Sequence, residues 1–314
     1  MRLFLLLFFL SWSAYAAYPE KPIRFILPSA AGGSVDVLMR VLAQQLSTQM
    51  GVAFVVENKP GGAFVPGTMD IVRAPPDGYT LGYGNIVSLA INRALLPKLP
   101  YDVEKDLTLI SNCVQVFNML AVNNDLPVRS VQELVAYAKK NPGKLTNGSS
   151  GNGTTGHLGG ELFKFMTGTD IVHVPYKGSP QAINDLMAGN IQVMFDNVPS
   201  IGPHVKAGRV RGLGVSAPKR AAQFPDIPTI AEAVPGYETN SWGGVIGPAK
   251  LPKEIVSRLT AEIRKALASP AVAERYRQLD TEPDGAGPEA FLELVRKETP
   301  KWADVVKKSG AKVD

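Results

Sequence analysis

Two stretches rich in glycine and hydroxyl side chains carry most of the chemistry available to this 314-residue chain. The first is Ser29-Ala30-Ala31-Gly32-Gly33-Ser34, between the apolar run Ile23–Leu27 and a helical repeat of Val35, Leu38, Val41, Leu42 and Leu46. The second is Ser149-Ser150-Gly151-Asn152-Gly153-Thr154-Thr155, which runs through Gly156 and His157 into a face of Leu158, Leu162, Phe163 and Met166. Glycine leaves backbone N–H groups unshielded by side chains. Ser34 is of the type that caps a helix start. A helix start adds unpaired N–H groups and the positive end of the dipole. Such a cradle binds anions, carboxylates among them. The first stretch by itself is equally compatible with an ordinary strand-to-helix turn.

Other chemistries fit less well. Gly151-Asn152-Gly153-Thr154-Thr155-Gly156 matches the dinucleotide pattern G-x-G-x-x-G. The strand before it spans only about 144–147, and the next ends in His173-Val174-Pro175-Tyr176-Lys177, with no acid for a ribose hydroxyl. No cofactor is expected. A secreted α/β hydrolase using Ser149 or Ser150 with His157 is the alternative reading. Gly148-Ser149-Ser150-Gly151-Asn152 fails the nucleophile elbow, because Asn152 stands where the last glycine belongs. His157, His173 and His204 have no metal-ligand spacing, and no metal site is expected. His173, in an apolar strand, reads as a satisfied core histidine. Asp196, at a strand's carboxyl end, suits either a ligand ammonium or hydroxyl, or the cap of the next helix. Tyr176-Lys177-Gly178 places a hydroxyl and a cation at another strand end, unless it is a solvated turn.

The elements that position these groups alternate from residue 23 onward. Phe54-Val55-Val56 reads as a strand opening into Lys59-Pro60-Gly61-Gly62-Ala63-Phe64. Tyr79–Tyr83 reads as another, opening at Gly84-Asn85 into a helix over about 88–96. Ligands of open α/β sheets sit at such carboxyl ends. Leu109–Asn123 is long enough to cross between domains. Ser130 and Glu133 form a capping box. The predicted organisation is a parallel α/β domain, a second inserted at roughly 120–235, and C-terminal helices packed on the first.

Composition bounds the class. Leu3–Leu10 is an apolar block behind Arg2, and Ala14-Tyr15-Ala16 has the small residues a signal peptidase reads. Residues 1–16 read as a signal peptide, with an uncleaved anchor as the lesser alternative; the block is too short to span a bilayer. Loss of Arg2 takes the net charge from +5 to +4, with no basic run of the nucleic-acid kind. Cys113 is the sole cysteine, so no internal disulfide forms.

Several runs together resemble one family. They are Pro28–Asp36, Glu57-Asn58-Lys59-Pro60-Gly61-Gly62, Ala74–Leu81, Leu99-Pro100-Tyr101-Asp102, Gly151–Leu158, His173–Gly178 and Met194–Ser200. They resemble the Bug family, the TctC-type extracytoplasmic solute receptors of tripartite tricarboxylate transporters. The resemblance spans nearly the whole mature chain. It implies a two-lobed periplasmic binding protein, type II-like, each lobe a mixed sheet flanked by helices and the ligand held between them. Lobe 1 would comprise 17–120 plus 236–314, and lobe 2 121–235. It implies Ser29–Ser34 and Ser149–Thr155 as a carboxylate clamp, with Asn85, Ser88, Tyr176 and Asp196 lining the rest. It further implies a monomeric, non-enzymatic receptor in the periplasm, serving membrane components of such a transporter or a sensor. Two departures stand out: Ser29 where the family usually has an aromatic, and Phe64 where it usually has a small residue. Phe64 would then offer a face to an aromatic or otherwise flat acid.

Overall fold

The computed structural model describes residues 18–311. The stretch read as a signal peptide lies outside the described residues. Among the described residues, ten strands form one hydrogen-bonded assembly. They are β1 (Ile23–Leu27), β2 (Phe54–Asn58), β3 (Thr80–Asn85), β4 (Leu107–Val122), β5 (Leu145–Ser149), β6 (Ile171–Pro175), β7 (Val193–Asn197), β8 (Arg211–Val215), β9 (Asn240–Pro248) and β10 (Glu282–Pro283). The α-helices are α1 (Ser34–Met50), α2 (Val65–Val72), α3 (Asn92–Leu95), α4 (Val103–Asp106), α5 (Val131–Lys140), α6 (Thr155–Thr167), α7 (Ser179–Ala188), α8 (Val198–Lys206), α9 (Lys253–Leu267), α10 (Pro270–Gln278) and α11 (Pro288–Ser309). A π-helical turn, Val87–Ile91, leads into α3.

Strand β1 pairs in parallel with β2 and β3, as short apolar runs separated by helices require. The parallel domain read from the residues alone is not parallel throughout: β9 returns antiparallel to both β3 and β4, which gives the mixed sheet that the resemblance implies. An extended return can pair directly, without a crossover helix. β4 belongs to both halves of the molecule. Its residues up to Phe117 pair with β9, and Asn118–Val122 pair with β7 and β8. β5 runs parallel to β6 and β7. The result is two lobes joined by β4 going out and β9 coming back. Ser216 fastens the crossing: its Oγ accepts the Asn118 N–H at 2.8 Å and donates to the Thr239 carbonyl.

Each lobe is packed on both faces of its sheet. In the first lobe, Phe25, Leu42, Ile263 and Tyr276 fill one side, and Ile26, Leu89, Trp242 and Trp302 the other. In the second, Leu120, Phe163, Phe195 and Tyr237 face Met119, Leu186, Met194 and Ile201 across the sheet. Each such side chain, fully buried, contributes about 1.5–3 kcal/mol. Cys113 is buried in the first of these clusters, and burial pushes its thiol up to about 12. The C-terminal helices were expected on the first lobe alone. α11 also packs against α6 of the second, and Leu158 of α6 joins the Trp242 cluster. Among the described residues no helix is long and apolar enough to cross a membrane.

Candidate functional site

The carboxyl ends of β1, β3, β5, β6 and β7 face one another around a cavity of about 550 Å³. Four of the helices that start at its wall are α1, α6, α7 and α8; Phe64, the cap of α2, lines it too. Their caps are Gly33 for α1, Thr154 for α6, Gly178 for α7 and Asn197 for α8. Only Thr154 among these four satisfies its own helix, its Oγ1 accepting the His157 N–H. The other three make no side-chain bond to the first turn, so its N–H groups stay available, except at Pro180 of α7 and Pro199 of α8, which have none. Ser34 was expected to be a cap. It is instead the first helical residue, and its Oγ accepts Asn197 Nδ2 at 2.9 Å, a bond between the lobes. Asp196 is not a cap either; Asn197 holds that position.

The first loop is held from behind. Asp36, only 6% exposed, accepts the Gly32 N–H on Oδ2 at 3.0 Å. Its Oδ1 accepts Arg40 Nε at 2.8 Å and Asn58 Nδ2 at 2.9 Å. Asn58 also donates to the Ser29 carbonyl at 3.1 Å. A buried carboxylate thus fixes the loop while its charge is answered by Arg40.

The second loop stands on two histidines. Gly153 N–H donates to His157 Nδ1 at 3.0 Å, which makes His157 the neutral Nε2–H tautomer. His157 and His173 stack at 3.9 Å, 14° from parallel. His173 Nε2 lies 2.7 Å from Ser149 Oγ, which also donates to the Gly151 carbonyl. Burial is the main cause that pushes His157 down to about 4 and His173 to about 3, so both are neutral. Gly153 sits at φ +78°. At Gly156 a side chain would collide with the Phe195 carbonyl, so the last glycine of the pattern is what lets α6 lie on β7.

Most residues singled out from the sequence meet at this cavity: Ser29, Ala30, Gly33, Ser34, Phe64, Asn85, Ser150, Gly151, Asn152, Thr154, Thr155, Tyr176 and Asp196 line it. Ala31, Gly32, Ser88, Ser149 and Gly153 are not in the lining. Ser88 instead accepts the Asn85 N–H on Oγ and donates its own N–H to Asn85 Oδ1, fixing that side chain. The hydrolase pairing is not formed. Ser149 is buried and meets His173, while His157 Nδ1 is committed to Gly153. Tyr176 was expected to offer its hydroxyl, but that group donates to Asp185 at 2.6 Å. Phe64 and Ala63 both hold left-handed backbone, φ 64° and 50°, and Asn92 Nδ2 grips the Ala63 carbonyl at 2.8 Å. Sequence reasoning missed the lining residues Ser179 and Ser241, and the supports Asp36, Asn58 and Asn92. Asp36 alone left a signal, as an acid beside the loop. Among the described residues no cluster of three or more His, Cys, Asp or Glu could hold a metal.

The family model for the tripartite tricarboxylate transporter family receptor matches residues 38–311. The chain belongs to this receptor family. It is 37% identical over 292 residues to the UPF0065 protein of the tcbD-tcbE intergenic region of Pseudomonas sp. strain P51, covering 92% of this chain and 87% of that one. Among solved structures, Rpa4515 of R. palustris with adipate has a TM-score of 0.92 and 38% identity, covering 94% of this chain and 100% of that one. The periplasmic binding protein BugD has a TM-score of 0.90 and 32% identity, covering 94% and 99%. The two-lobed receptor fold follows, and the family's members are solute-binding proteins of the periplasm.

Proposed function

We propose that this receptor captures a small carboxylate in the periplasm and delivers it to the membrane components of a tripartite tricarboxylate-type transporter. The observation that carries the reading is the convergence of four helix N-termini, three without side-chain caps, on one cavity. Fixed N–H dipoles there replace the hydration of a carboxylate without a matching cation. The loop around Gly33 supplies one jaw and the loop around Gly151 the other. The adipate seen with Rpa4515 is consistent with this chemistry.

Capture proceeds by lobe closure about the β4 and β9 crossing. The inferred lobe boundaries are near residues 121 and 235, a few residues from Ser216's ties to Asn118 and Thr239. The ring of Phe64, strained in backbone and part of the lining, shapes the far end for a flat acid. The protein acts as a monomer and without catalysis.

The test is a thermal-shift screen of the mature chain, refolded to strip any carried-over ligand, against aliphatic and aromatic acids and their amides. Ligand at a 100-fold excess over Kd stabilises by about 2.7 kcal/mol. The expected result is a shift that requires the free carboxylate, with the acid recovered unchanged. Phe64→Ala should weaken benzoate- or nicotinate-type acids more than malate or citrate; a clear wild-type preference for the aliphatic acids contradicts the role given to Phe64. Shifts that do not depend on the carboxylate contradict the clamp.

A further inference from the structure

Asp196 is an anomaly in a cavity built for an anion. It lines the cavity, is 3% exposed, and its Oδ2 has no hydrogen-bond partner. The Ser179 hydroxyl and the Asn197 N–H act on the carboxyl, but no cation does. Among the described lining residues the only other charged side chain is Lys177, which is exposed. A buried acceptor without a donor carries a desolvation penalty that a ligand can relieve.

A carboxylate placed on the helix N-termini would share the cavity with this second carboxylate. Two like charges at close quarters disfavour each other unless something lies between them. A donor on the ligand beside its carboxylate resolves both problems at once. It fills the open lone pair of Oδ2 and separates the two anions. An ammonium does this with charge, a hydroxyl with a hydrogen bond alone.

Resting on the carboxylate reading above, we infer that Asp196 selects acids that carry an ammonium or hydroxyl group next to the bound carboxylate. It is a specificity-determining residue that the unsubstituted acid leaves unpaired. Thr155 and the loop amides not already bonded to Asp36, Ser149, His157 or the Gly151 carbonyl recognise the carboxylate; Asp196 recognises what is attached beside it.

The experiment is calorimetric titration of the ligand-free protein at pH 8 with matched acids. The sets are succinate against malate and aspartate, adipate against 2-aminoadipate, and benzoate against salicylate. A hydrogen bond to a charged group that otherwise stays unpaired predicts about tenfold or greater preference for the donor-bearing member of the set that binds. In Asp196→Ala and Asp196→Ser that preference should fall toward unity, while the unsubstituted acid binds as well as before or better. Equal affinity within the sets for the wild type overturns the inference and leaves the carboxylate clamp standing. A preference that survives both variants also overturns it. If no acid of any set binds, the clamp itself fails and the inference falls with it.

Discussion

Asp36 and the histidine pair do not line the cavity, yet each fixes a loop that does. Removing the Asp36 carboxylate leaves the Gly32 N–H without its acceptor and Arg40 with Asn58 Oδ1 but no carboxylate. Asp36→Ala should therefore lower stability by about 2–3 kcal/mol and weaken acid binding, whereas Asp36→Asn, which can still accept from Gly32, should lose less. Equal losses in chemical denaturation for the two variants would contradict this. The histidines make stability depend on pH. Burial holds His157 at about 4 and His173 at about 3, below their ordinary value near 6.5. Between pH 6.5 and 4 the unfolded chain thus binds more protons, and folding stability falls as the pH falls. Asp196 works in the opposite sense. Burial raises it to about 7, so the folded state holds its proton up to that pH and loses stability as the pH rises toward it. The Tm of the ligand-free protein should drop less on acidification in His157→Gln than in the wild type, and Asp196→Asn should remove the decline that the carboxyl causes between about pH 3.8 and 7. Parallel wild-type and variant curves would remove these groups from the account.

At the scale of elements, the cavity is shaped by where helices begin. α7 starts at Gly178, with φ 141°, and a side chain there would sit 2.6 Å from the Ala30 methyl of the opposite jaw. Gly178→Ala should therefore weaken acid binding at least tenfold by opposing closure, an effect on the scale of overpacking. If the clash with Ala30 is the cause, Ala30→Gly in the same chain should restore part of the affinity; no rescue would mean that backbone strain at residue 178 is responsible. These contacts also mark the limit of sequence reading. The strand-loop-helix units around Ser29–Ser34 and Gly151–His157 were legible, because apolar runs, glycines and helical spacing are local signals. The direction of β9 was not, since an extended Gly243-Gly244 segment reads the same whichever neighbour it pairs with. The caps were also misplaced by one residue, at Ser34 and Asp196, because the hydroxyl of Ser34 answers Asn197 across the cleft rather than its own helix.

For the whole molecule, β4 and β9 are the only crossing strands among the described residues, while α6, α11 and the Ser34–Asn197 bond bring the lobes together elsewhere. Two-lobed architecture was readable from the long apolar run that became β4. The contact of α11 with both lobes was not, because its apolar stripe does not say which neighbour it meets. The central claim is that helix N-termini from both lobes hold a carboxylate between them. The most direct measurement is a crystal structure of the mature receptor with its tightest-binding acid. The predicted result places the carboxylate oxygens within about 2.7–3.2 Å of backbone N–H groups from the Gly33–Ser34 and Gly151–Thr155 loops together. A carboxylate held by the Lys177 side chain at the rim, with the loop amides turned elsewhere, would contradict it.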